Sequence, residues 1–103
     1  MTLDEYQAVA AETLGAQCDA VYLAAKLTIE AAEAAQPVIK AHYHAKPLDL
    51  AALADELGDV LWYAAVLARM LGLSLSEIAA GNLLKLSLRH GKQYNAAHYT
   101  GGQ

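Results

Sequence analysis

The chain has no phenylalanine, a single cysteine and only two prolines in 103 residues, and β-branched residues are few. Sheets are built from the residue types that are scarce here, and helices are broken by the one that is nearly missing. Composition therefore predicts an all-α protein. The lone Cys18 excludes an internal disulfide and fits a reducing compartment. A net charge of −4 and the lack of a basic stripe exclude a protein that coats a nucleic-acid polymer. The longest charge-free apolar run, Val60 to Ala68, is too short to span a bilayer. The opening MTLDEYQ is acidic and amphipathic, unlike a signal peptide. A soluble, cytoplasmic protein with no membrane partner is expected.

One further absence is local. No acid follows Glu77, whereas Lys85, Arg89 and Lys92 all lie beyond it. A carboxylate-rich middle and a basic end suit a ligand that is polyanionic yet metal-bound, such as a nucleotide polyphosphate. The competing reading is that these cations complement a helix C-terminus. What the chain has in excess is apolar residues, 56% of the total. A domain this small cannot bury them all, so a second copy of the chain is the expected partner.

The pattern predicts four helices in residues 1–91 and a loose tail over 92–103. Thr2-Leu3-Asp4-Glu5 reads as a capping box, and the first helix ends or bends at Gly15. A second helix runs from near Asp19 to about His42, presenting Val21, Ala25, Ile29, Ala32 and Val38 to a core. Pro37 should kink or shorten it. Asp49 caps a third helix, Leu50 to Leu71, which stops at Gly72. Ser74-Leu75-Ser76-Glu77 reads as another capping box, opening a fourth helix that ends near His90 and Gly91, with Leu83, Leu84, Leu86 and Leu88 packed inward.

Two matched acidic pairs dominate the middle of the chain: Glu30 with Glu33, and Glu56 with Asp59. Spacing of i, i+3 puts each pair on one helix face, and an antiparallel hairpin brings the two pairs to nearly the same level. Carboxylates crowded among alanine and leucine lose hydration and repel one another unless a cation compensates. All-oxygen ligands point to a hard ion, Mg2+ or Mn2+. The competing reading is a solvated face, with Lys26 paired to Glu30 at i, i+4. Metal-bound phosphoryl chemistry asks for little beyond positioning, charge neutralisation and a base, for which Glu33 is the candidate. Lys85 and Arg89, with Asn82 on the same face, are candidates for holding phosphates. Trp62 could stack on a base, against the alternative of simple packing.

These motifs resemble the MazG family of all-α nucleoside triphosphate pyrophosphohydrolases. The likeness rests on Glu30 and Glu33, on ELGDVLWY carrying Glu56 and Asp59, and on the segment LGLSLSEIAAGNLLKLSLRHG with Asn82, Lys85 and Arg89. It extends to LDEYQ near the start. The resemblance implies hydrolysis of an NTP or dNTP between the α and β phosphates, Mg2+ held by the four acids, and a helical bundle completed as a dimer or dimer of dimers. Two departures stand out: Ile29 replaces a glutamate common before the first pair, and Arg89-His90-Gly91-Lys92-Gln93-Tyr94 replaces a Y-P-x-G-like run. The alternatives are a catalytically silent helical dimerisation or binding module, and an enzyme like phosphoribosyl-ATP pyrophosphohydrolase. A di-iron carboxylate bundle is disfavoured because neither motif carries the Glu-x-x-His it needs.

Overall fold

A computed structural model describes residues 1–91, which form four α-helices and, among the described residues, no strand. The expected tail over 92–103 lies outside the described residues. Helix α1 spans Leu3–Glu12, α2 Ala20–His44, α3 Leu50–Met70 and α4 Leu75–His90. Each begins at a residue whose side chain can take a free amide. Thr2 and Glu5 form the reciprocal capping box. Asp19 accepts from the Tyr22 amide at 2.8 Å, Asp49 from Ala52 at 3.1 Å and Ser74 from Glu77 at 3.1 Å. Helix α1 stops at Glu12, slightly short of Gly15, and Thr13 caps its end, donating both its backbone N–H and its hydroxyl to the Ala10 carbonyl. Pro37 does not end α2, which continues to His44.

The long antiparallel hairpin of α2 and α3 forms the most extensive contact in the molecule, and α1 packs across α3. A small core of Ala10, Leu23 and Val66 sits where these three helices meet, with Tyr6, Leu14, Cys18, Trp62, Tyr63 and Leu67 around it. The Trp62 indole N–H donates to the Thr13 hydroxyl at 2.9 Å, and its ring meets Tyr63 edge to face at 4.9 Å. Helix α4 turns away from α3 by 107°. No single helix among the described residues is long and apolar enough to cross a membrane.

Two expectations about packing fail, and both failures have the same sense. The buried stripe of α2 is Leu23, Glu30 and Ala34, not the Val21, Ala25, Ile29, Ala32, Val38 face, of which Val21 is 79% exposed. On α4, Leu83, Leu84 and Leu88 are exposed instead of packing inward, and only Leu86 is half-buried. Both helices are apolar on more than one side, and the described residues cover only one. The radius of gyration, 16.0 Å, exceeds the roughly 13 Å of a compact chain this long. Among the described residues the bundle is open, with apolar faces on α2, α3 and α4 exposed.

The junction of α1 with the α3–α4 turn is polar and closely fitted. Gln7 is buried, and its amide nitrogen donates to the carbonyls of Ala65 and Leu73, both at 3.0 Å. Its amide oxygen accepts from the Leu75 N–H at 3.0 Å. Asp4 accepts from the Ser76 amide at 2.9 Å and from the Ser74 hydroxyl at 3.0 Å. Helix α4 is thus capped by its own Ser74 and by an acid from α1, placed where the helix dipole favours negative charge.

Candidate functional site

The hairpin brings Glu30, Glu33 and Glu56 together, with one carboxylate oxygen of each lying within 4.8 Å of the others. Their spacing explains how. Glu30 and Glu33 are about one turn apart on α2, and Glu56 on α3 faces them across the helix seam. Glu30 is buried, Glu56 half-buried and Glu33 exposed, so the cluster grades from the seam outward to solvent. Asp59 sits one turn beyond Glu56 on α3 and is exposed. It lies outside the three-carboxylate group yet contributes to the negative field at Glu30.

The electrostatics follow from that crowding. Burial first, and then the Glu33 charge, hold the Glu30 carboxyl above the ordinary glutamate range, and Asp59 and Glu56 add to the push. Lys26 opposes it, with its ammonium 3.7 Å from Glu30 Oε1, and also lies 6.0 Å from the Tyr63 ring centroid. The expected i, i+4 pair therefore forms, but one ammonium faces several carboxylates. Glu56 shows the shortfall directly: its Oε2 is buried and has no hydrogen-bond partner among the described residues. An orphaned carboxylate oxygen in the middle of an acidic cluster is a costly arrangement for the protein alone. A hard divalent cation supplies what is missing, and the all-oxygen donor set fits Mg2+ or Mn2+.

Beside the cluster runs an open groove of about 730 Å³, lined by Ile29, Ala32, Glu33, Gln36, Pro37, Lys40 and Glu56. Sequence reasoning passed over Gln36 and Lys40, although both share the stripe of Glu33 at i+3 and i+7. The signal was present in the spacing. Pro37 has no N–H, so the Glu33 carbonyl lacks the donor that an unbroken helix would provide. A second groove, about 480 Å³ and almost wholly apolar, is lined by residues such as Ala31, Ala35, Val38, Ile39, Leu53 and Leu57.

The remaining candidates lie elsewhere. Asn82 and Lys85 are exposed on α4 and line neither of these two grooves; Arg89 is on the same helix and is likewise not among their lining residues. Trp62 packs against the α1–α2–α3 core with its N–H satisfied by Thr13. That position is the one expected of a packing tryptophan.

An all-α hairpin presenting a carboxylate cluster beside an open groove defines a helical protein with a candidate divalent-metal centre. The model of the MazG nucleotide pyrophosphohydrolase domain matches residues 20–93, and the chain belongs to that family. The match takes in α2, α3 and α4, with all four acids, and begins after α1. No curated protein and no solved structure matches the chain.

Proposed function

We propose that the protein is a Mg2+-dependent nucleoside triphosphate pyrophosphohydrolase, with Mn2+ an acceptable substitute. It splits an NTP or dNTP between the α and β phosphates to give the monophosphate and pyrophosphate. The observation that carries this reading is the grouping of Glu30, Glu33 and Glu56 within 4.8 Å, with an unpartnered Glu56 oxygen among them. Membership of a nucleotide pyrophosphohydrolase family supports the reaction class.

Glu30, Glu56 and Asp59 serve chiefly as metal ligands, and Glu33 is both a ligand and the base. When bound, the cation neutralises phosphate charge and acidifies water. Glu33, exposed at the mouth of the cluster, takes the proton from the water that attacks the α-phosphorus and passes it to solvent. The bond from the α-phosphorus to the bridging oxygen breaks, and pyrophosphate leaves with that oxygen.

Uncovered apolar faces on α2, α3 and α4 support a homo-oligomer, a dimer or dimer of dimers. In such an assembly Asn82, Lys85 and Arg89 would meet phosphate from a neighbouring subunit, because none of them lines the acidic groove or the apolar one. A cytoplasmic location suits the reduced Cys18 and the nucleotide substrate. The test is pyrophosphate release from a panel of canonical and modified nucleoside triphosphates with and without Mg2+. Metal-dependent release from at least one is expected. No release from any would favour a catalytically silent helical module.

A further inference from the structure

Among the described residues, Lys40 is the one cation lining the acidic groove. Its position is unlike that of Lys26, which has Glu30 at i+4 and pairs with it. The residues three and four positions from Lys40 are Gln36, Pro37, Tyr43 and His44, none of them acidic. Helix α2 therefore gives Lys40 no neighbouring acid to pair with, and the residue is exposed. Side chains on a helix lean toward its N-terminus, so from Lys40 the four-carbon stem points back over Gln36 and Pro37 toward Glu33. Lys40 and Glu33 are two turns apart, about 10 Å along the axis by the helical rise. A groove with carboxylates at one end and an ammonium at the other is polar in a definite direction. It suits an elongated ligand that is metal-bound at one end and still anionic at the other.

We infer that Lys40 is a substrate-positioning residue that binds the terminal phosphate of a triphosphate whose inner phosphates lie at the Glu30–Glu33–Glu56 end. The inference rests on the pyrophosphohydrolase reading and adds a contact made within the chain by a residue that lines the groove, which Lys85 and Arg89 do not. Lysine meets phosphate as a mobile point charge, so the contact discriminates by charge and reach, not by shape. The consequence is selectivity for chain length: a triphosphate spans the groove from the cluster to Lys40, and a monophosphate does not.

The experiment is calorimetric titration of wild type, Lys40→Ala and Lys40→Arg with an α,β-methylene nucleoside triphosphate and with the corresponding monophosphate, all in Mg2+. Mg2+ alone is titrated in parallel, and circular dichroism checks helical content. Lys40→Ala should weaken triphosphate binding about tenfold to a hundredfold, as expected for loss of one charge-assisted contact. It should leave monophosphate affinity within about twofold, and Lys40→Arg should recover most of the triphosphate affinity. If Lys40→Ala binds the triphosphate as tightly as wild type, the assignment is overturned. It is equally overturned if the substitution changes only Mg2+ affinity, since Lys40 would then merely offset the acids. Wild type that takes up Mg2+ but no triphosphate would sink the pyrophosphohydrolase reading itself, an outcome distinct from either of these.

Discussion

Asp4 and Glu30 are both carboxylates at helix junctions, and their surroundings push them in opposite directions. Asp4 receives an amide and a hydroxyl at the start of α4, and these hydrogen bonds, led by the Ser76 amide, hold it below the ordinary aspartate range. Glu30 is buried beside other acids and is held above the ordinary glutamate range. The first carboxylate is satisfied by the fold, and its negative charge is part of the fold's stability. The second is one of a group whose charges the fold does not balance. A site that a protein completes by itself is structural, and one that it leaves short of a cation is where a ligand belongs.

The largest effect that would sharpen this contrast is on activity. Glu56→Ala should reduce metal-dependent turnover to below about a hundredth of wild type, because a ligand to the cation is lost. Its helical content by circular dichroism should be unchanged, since removing Glu56 also relieves repulsion on Glu30. The equivalent injury at the other junction should appear in stability. Gln7→Ala removes the hydrogen bonds that Gln7 makes to the carbonyls of Ala65 and Leu73 and to the amide of Leu75, and urea unfolding should show a loss of about 2–4 kcal/mol. Metal affinity measured below the unfolding transition should change little.

A smaller effect separates the two acids by pH. Asp4 binds its proton more weakly in the folded chain than in the unfolded one. Its contribution to stability is fully present above its ordinary value of 3.8 and is lost as pH falls through the lowered folded value. Glu30 does the reverse in metal-free protein. It favours folding at low pH, and that contribution is lost as pH rises from 4.5 through the raised folded value. Thermal melts of metal-free Asp4→Asn and Glu30→Gln across pH 3 to 7 should each flatten a different limb of the stability profile. Identical profiles for the two variants would break the comparison.

Much of this was legible in the residues. Asp19, Asp49, Thr2 and Ser74 announced the helix starts because a cap is a local device, requiring one side chain and the next turn. The hairpin geometry followed from rise per residue, which placed Glu30, Glu33, Glu56 and Asp59 at one level; the first three come together, and Asp59, one turn further along α3, falls outside the group. The packed face of α2 was not legible. Val21, Ile29 and Val38 make a good apolar stripe, and nothing in the sequence says that it remains uncovered in a single chain while the stripe carrying Glu30 is buried. The same ambiguity hid the exposure of Leu83, Leu84 and Leu88. Long-range polar contacts were equally hidden: Gln7 meets Ala65, Leu73 and Leu75 across more than fifty residues, and no spacing rule reaches that far.

The central claim, that the Glu30–Glu33–Glu56 cluster is completed by a divalent cation, is tested most directly by thermal unfolding of wild type against increasing Mg2+ or Mn2+. A ligand that binds only the folded chain stabilises it by about 2.7 kcal/mol at a hundred times its dissociation constant. The midpoint should therefore rise with metal and saturate in wild type, and Glu56→Ala should lose most of the rise. A wild-type midpoint that stays flat through millimolar Mg2+ and Mn2+, or a rise that Glu56→Ala fully retains, would contradict the account.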